Sequence, residues 1–240
     1  MRVGVYVDGF NLYYGGRSTF GKGTSGWKWL DLRALSNRLI ADRSQWINAT
    51  ATRVVYCTAE IDGAGNPSGR FDQDVYIRAL QAHSSIDHLE LGYYVTRLKR
   101  GALARRGTGS SFVHVDLKGN DIVPPQTPRI VSVAQREEKG SDVNVAAHLL
   151  YDALTNAIDA AIVISNDSDL AFAVQTAREH IPVGTVNPSP SYLAGALKGQ
   201  PRDGVGNHWW ARIDRTQFAA SQLPDPVPAT PRAWNRPPGW

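Results

Sequence analysis

Cysteine is nearly absent. Cys57 is the single cysteine in 240 residues, so no internal disulfide can form and no thiolate metal site can be anchored by it alone. It sits in the apolar run Val54-Val-Tyr-Cys57, where a buried, inert thiol is expected. Long hydrophobic runs are missing too, since nothing approaches the ~18 apolar residues that would suggest a membrane span. The amino-terminal stretch lacks the basic, apolar, small-residue order of a secretory signal, so a cytoplasmic location without a membrane partner is expected. No internal repeat is present. The glycines near the first apolar run, Gly4, Gly9, Gly15 and Gly16, lack the spacing of a dinucleotide-binding turn. Acid is missing from one segment: between Arg97 and Arg106 stand five Arg or Lys residues and no Asp or Glu.

What is present is enough for one sizeable core, since 42% of the residues are hydrophobic. A net charge of +4 and a pI near 9.3 suit a polyanionic partner, but the distribution of charge says more than its sum.

Apolar patterning predicts an α/β protein. Val3-Gly-Val-Tyr-Val7 is short, β-branched and nearly unbroken, as in a parallel strand covered on both faces. A glycine-containing polar-aromatic loop is expected next, then a helix over residues 31–40 with Asp31 as its N-cap. A strand over 52–58, a loop over 62–69 and a helix over 72–82 follow. Residues 89–98 and 111–117 resemble strands joined by the basic segment 99–109, and the proline-bearing run 121–128 is a loop before a short strand at 129–133. The alternation then resumes. A helix over 141–154, with Val143, Ala146, Ala147, Leu150 and Leu154 on its apolar face, leads to a strand over 160–164, a helix over 170–180 and a strand over 182–186. Such alternation implies a parallel sheet flanked by helices. Trp209 and Trp210 are expected to pack in a final helix. Residues 222–240 hold six of the 14 prolines and no periodicity, so the reading is one domain over 1–221 and a disordered tail.

In an open parallel sheet, ligands gather beyond the carboxyl ends of the strands at a switch point in strand order. Asp8-Gly-Phe-Asn11 follows the first apolar run, and Ser165-Asn-Asp-Ser-Asp169 follows the run ending at Ile164. Asp142 sits in the first turn of the helix over 141–154, whose amino end can face the same crevice. Each has an ordinary explanation: an Asp-Gly turn, a helix cap, a strand-to-helix cap. Their convergence would be a cluster of hard oxygen donors without His or Cys, suited to Mg²⁺ or Mn²⁺ and poorly to Zn²⁺ or copper. Carboxylates held together repel, and a divalent ion removes that repulsion while stabilising charge on a phosphoryl oxygen.

Three motifs carry a family resemblance. Val5-Tyr-Val-Asp-Gly-Phe-Asn-Leu-Tyr-Tyr14, Lys139-Gly-Ser-Asp-Val-Asn-Val-Ala146 and Ile162-Val-Ile-Ser-Asn-Asp-Ser-Asp-Leu170 resemble, in order, the motifs of the NYN domain family. The match is to its bacterial limkain- and LabA-like group within the PIN-like nucleases. The resemblance covers roughly residues 1–190. It implies a PIN-like three-layer α/β/α fold with a central, mainly parallel sheet, and a metal-dependent ribonuclease activity. Asp8, Asp142, Asp167 and Asp169 fall on the family's acidic positions, Asn11 on its amide and Ser165 on its small hydroxyl. Asn166 and Leu170 depart from the usual Gly and Phe; Asn tolerates glycine-like backbone angles, and Leu170 stays apolar. On this reading Asp8 and Asp167 ligate Mg²⁺ or Mn²⁺, Asp142 and Asp169 ligate directly or through water, and Asn11 orients a carboxylate or a phosphate.

Arg97, Lys99, Arg100, Arg105 and Arg106 are the candidate phosphate-tracking surface, with Lys139 near the scissile phosphate and Tyr13 and Tyr14 placed to stack on unpaired bases. RNA is favoured over DNA by the resemblance alone. The alternative is a non-catalytic RNA-binding module of the same fold. A haloacid-dehalogenase-type phosphatase needs a second Asp two residues after the first, where Phe10 stands. Oligomeric state and protein partners have no signature in the sequence.

Overall fold

The computed structural model describes residues 1–43, 45–109, 111–123 and 126–240. Residues 124 and 125 of the proline-bearing loop therefore lie outside the described residues. The chain divides into two compact units, residues 1–93 with 139–240, and residues 94–138.

The larger unit is built around strands β1 (Arg2–Asp8), β2 (Thr50–Ala59), the first part of β3 (His88–Ala102), β7 (Ala160–Ile164), β8 (Val183–Asn187) and β9 (Trp209–Arg212). The whole sheet has seven strands in the order β6-β3-β2-β1-β7-β8-β9, with β6 spanning Ile130–Lys139. Pairings from β3 through β9 are parallel. The chain thus runs outward from β1 through β2 to β3, then returns to the other side of β1 as β7. That reversal is the switch point, and it lies where β1 and β7 end.

Apolar alternation explains the layers. Val3, Val5 and Val7 face one side with α2 (Leu32–Ala41) and α3 (Pro67–Ala82), through Leu35, Leu39, Val75, Ala79 and Leu80. Tyr6, Val55 and Cys57 face the other side, against α4 (Ser141–Leu154) and α5 (Ala171–Arg178). The result is the expected three-layer α/β/α arrangement with a mainly parallel centre.

Four expectations need correction. The glycine-rich segment after β1 is a helix, α1 (Gly9–Phe20), not a loop. A Cβ on Gly15 would lie 2.6 Å from the Pro188 carbonyl group, and one on Gly16 would lie 2.5 Å from the Trp27 ring, so these glycines serve close packing. The buried stripe of α4 is Val145, Leu149, Asp152 and Ala153, while Val143 and Leu154 are exposed. Asp152 tolerates burial because it accepts from the Tyr6 hydroxyl at 2.8 Å and from Arg53 Nε at 2.6 Å. Trp209 and Trp210 lie in strand β9; the helix, α7 (Arg215–Ala220), comes after them. Residues 222–240 are not disordered. Val227 is fully buried and bridges to Trp234, and the Trp240 ring lies 5.5 Å from that of Tyr76. Apolar residues scattered among prolines have no period, so their burial is set by contact rather than by repeat.

The smaller unit holds the outer part of β3, β4 (Ala104–Arg106), β5 (Phe112–His114) and most of β6; β4 and β5 pair antiparallel. The basic segment is therefore largely extended strand. Among the described residues no helix is long and apolar enough to cross a membrane.

Candidate active site

The carboxylate of Asp8 ends β1 and is fully buried. It caps α1, accepting the Asn11 backbone N–H at 3.0 Å on Oδ1. Its other oxygen accepts from Asn11 Nδ2 at 2.6 Å and from Ser165 Oγ at 2.8 Å. Asp8 is thus a helix cap, and one donor on its second oxygen, Ser165, comes from the opposite side of the switch point.

Ser165 follows β7 and links the two strands. Its hydroxyl donates to Asp8 and accepts the Asp167 N–H at 3.1 Å. Asp167 in turn caps a single 3-10 turn over Ser168–Leu170, accepting from the Asp169 N–H at 2.9 Å. Asn11 Oδ1 accepts the Asn166 N–H at 3.3 Å, closing a ring of contacts between the two loops. Asn166 is not among the residues with positive φ. Its side chain explains its place instead: it donates to the Tyr192 carbonyl at 3.1 Å and accepts the Ala194 N–H at 2.7 Å, tying down the loop after β8.

Burial pushes the Asp8 carboxyl above its ordinary value, and the Asp167 charge adds to that, against the three donors that favour its ionised form. Two of the expected acids are therefore close enough to feel one another. Asp142 is half-buried in the first turn of α4. It reaches the same neighbourhood electrostatically: the Cys57 thiol is pushed up to about 12 by burial, with Glu90, Asp8 and Asp142 adding to it. Cys57 is buried, with no free face for reaction. Asp169 is exposed on its turn and Lys139 is exposed just before α4. The structure thus joins Asp8, Asn11 and Ser165 by hydrogen bonds, ties the Asp167 backbone to the same Ser165, and leaves Asp169 at the surface. Asp142 lies near Cys57, and among the described residues no three of these four acids bring their oxygens within 4.8 Å of one another.

The basic residues belong to the smaller unit. Arg97, Lys99 and Arg100 lie on β3 and Arg105 and Arg106 on β4, all exposed. Lys99 pairs with Glu137, and Arg105 binds Asp121 through two bonds, at 3.0 and 2.9 Å. Arg97, Arg100 and Arg106 make no ion pair among the described residues. Tyr13 and Tyr14 are exposed at 43% and 58%, which leaves both rings accessible beside the site.

The sequence reading passed over one polar cluster. Glu90 pairs in register with Cys57, which pairs with Asp8, so all three lie in one row across β3, β2 and β1. Glu90 accepts from His88 and from His148. The available signal was the alternation His88-Leu-Glu90, which puts two polar side chains on one face of a strand.

No family model matches the chain. A 6-hydroxy-3-succinoylpyridine 3-monooxygenase of Pseudomonas putida is 29% identical over 256 aligned positions, which span 98% of this chain and 75% of that protein. A solved structure from Vibrio parahaemolyticus, described as a protein of unknown function, aligns with a TM-score of 0.45 at 14% identity, covering 89% of this chain and 93% of that one.

Proposed function

We propose that this chain is a metal-dependent nuclease that hydrolyses phosphodiester bonds, with RNA as its substrate. The observation that carries the reading is the fully buried Asp8 at the β1/β7 switch point, fixed by Asn11 and by Ser165, whose hydroxyl also accepts the Asp167 backbone N–H. A buried carboxylate beside a second one is an unfavourable arrangement that a cation offsets. The donors are all oxygen, which fits Mg²⁺ or Mn²⁺. Asp8 and Asp167 would hold the ion, with Asp142 and Asp169 completing its surroundings. When bound, such an ion supplies Lewis-acid stabilisation of charge developing on a phosphoryl oxygen.

The remaining work falls to this chain's own groups. Asn11 and Ser165 hold Asp8 in one orientation, so its geometry is set before substrate arrives. Lys139 is an exposed cation next to the helix that carries Asp142, suited to a phosphate of the substrate. Tyr13 and Tyr14 offer ring faces to unpaired bases. The exposed Arg97, Arg100 and Arg106 would supply positive charge for the nucleic-acid backbone. The preference for RNA rests on the resemblance of the three motifs to NYN domains.

A second reading is oxygenation of a hydroxylated aromatic ring, favoured by the 29% identity to the pyridine monooxygenase. One experiment separates the readings. Labelled single-stranded RNA and DNA are incubated with the protein in Mg²⁺, Mn²⁺ or EDTA, beside Asp8→Asn and Asp167→Asn. Oxygen uptake is followed in parallel with 6-hydroxy-3-succinoylpyridine and a reductant. Metal-dependent cutting of RNA, reduced about 100-fold or more in each variant (~3 kcal/mol of transition-state stabilisation), is the expected result. Oxygen uptake without cutting would replace this reading with the second, and RNA binding in EDTA without cutting would leave a binding module.

A further inference from the structure

We infer that His88, Glu90 and His148 form a second metal site, for a first-row transition ion such as Zn²⁺ or Fe²⁺, separate from the ion site proposed at Asp8. His88 Nε2 and His148 Nε2 each lie 2.8 Å from the same atom, Glu90 Oε1. The ligand atoms of all three residues fall within 4.8 Å of one another. The two rings stand 4.9 Å apart at 55°, so their nitrogens converge rather than stack.

Bond lengths test the fit. An ion bound at ~2.0–2.1 Å by each donor sets neighbouring donors ~3.3 Å apart in a tetrahedral shell. The two 2.8 Å separations from Glu90 need to open by about half an ångström, and the two imidazole donors, already within 4.8 Å of each other, need to settle at the same spacing, both within reach of side-chain rotations. The residues sit on rigid supports. His88 and Glu90 are paired in register with β2, and His148 is on α4 between the buried Val145 and Leu149. The cluster is also open to an entering ion, with side-chain exposures of 42%, 32% and 20% for His88, Glu90 and His148.

Donor chemistry separates this site from the first. Two imidazoles and one carboxylate suit Zn²⁺ or Fe²⁺, and three protein donors leave a coordination position for a small ligand. The Asp8 row and strand order put Glu90 two strands from Asp8, about 10 Å at ordinary strand spacing. That is too far for the ~3.5–4 Å of a paired-ion centre. One contact must change when an ion binds. Arg53 Nη2 faces His148 Nδ1 at 3.4 Å, and a His148 bound through Nε2 carries its proton on Nδ1. The contact is long, and Arg53 remains anchored to Asp152 through Nε at 2.6 Å.

Co²⁺, a visible-absorbing stand-in, tests the site in protein kept in excess Mg²⁺. Titration of the full chain is expected to show saturable uptake of one Co²⁺, displaced by Zn²⁺. Asp8→Asn should bind it unchanged. His88→Gln and His148→Gln should each weaken it about 10-fold or more, since even outer-shell changes cost 10–100-fold. His88 is part-exposed at its strand start, so its substitution leaves the core intact; circular dichroism checks both variants. Absence of saturable uptake in the unaltered chain, uptake unaffected by both His substitutions, or uptake lost in Asp8→Asn would each overturn the inference. A plain hydrogen-bonded network of Glu90 with two histidines would give the first of these. Cleavage activity does not enter the readout, so failure here and failure of the nuclease reading are independent.

Discussion

At the scale of single residues, polar groups in this protein are buried only where partners are supplied. His208 is 2% exposed; its Nδ1 accepts the Val183 N–H at 3.0 Å, and its Nε2 donates to the Asp203 carbonyl at 2.6 Å. Those bonds require a neutral ring with its proton on Nε2. Burial, the larger effect, together with Arg178 holds its pKa below the ordinary 6.5, against Asp203 and Glu179. A depressed pKa means that the unfolded chain binds the extra proton more readily. The stability that His208 contributes is then complete above about pH 6.5 and declines as pH falls through that value toward the folded pKa. Thermal melts from about pH 7.5 to 5 should show this loss, and His208→Gln, which cannot titrate, should show a shallower one. Equal slopes would remove His208 as the cause. Tyr6 and Asp152 follow the same rule on the α4 face, where burial and the carboxylate hold the phenol well above its ordinary value.

Elements are governed by how closely backbones approach. α1 must lie near the end of β8 for Asn11 to reach both Asp8 and Asn166, and Gly15 permits this by leaving room for the Pro188 carbonyl. Helix propensity alone favours Ala over Gly by about 1 kcal/mol. Packing should win here, because a Cβ 2.6 Å from backbone atoms cannot be accommodated by rotating a side chain. Gly15→Ala is expected to destabilise by a net ~1–3 kcal/mol in denaturant melts. A more stable variant would show that α1 moves freely, and that the site is less tightly fixed than the hydrogen bonds indicate. The same close approach keeps α1 from showing in the sequence: glycines ordinarily break helices, whereas here they are contact points.

For the whole molecule, the chain's last residues close one apolar face of the larger unit. The Trp240 carbonyl accepts from the Gly26 N–H at 2.9 Å, its ring meets Trp29 at 6.5 Å and Tyr76 at 5.5 Å, and its indole N–H donates to Asp72 at 3.3 Å. Because the ring is only part-buried, Trp240→Ala should cost ~2 kcal/mol, less than the ~3–5 of a fully buried Trp. A melt within experimental error of the unaltered protein would mean that this segment rests on the core without supporting it. The fold itself was legible before any coordinates. Unbroken β-branched runs such as Val3–Val7 and Ala160–Ile164 are buried on both faces, and alternation with amphipathic helices leaves few other architectures. The sequence by itself also determined that acids follow the first and seventh strands, because an abrupt change from apolar to Asp is a local signal. Only tertiary structure decided that the two segments meet, since strand order places β7 beside β1 and lets Ser165 donate to Asp8 across more than 150 residues of chain. It likewise decided that Glu90 and His148, separated by 58 residues, are hydrogen-bonded to each other, and that the proline-rich end is packed. Contacts of that kind depend on which surfaces come together, and they leave no period in the sequence to read.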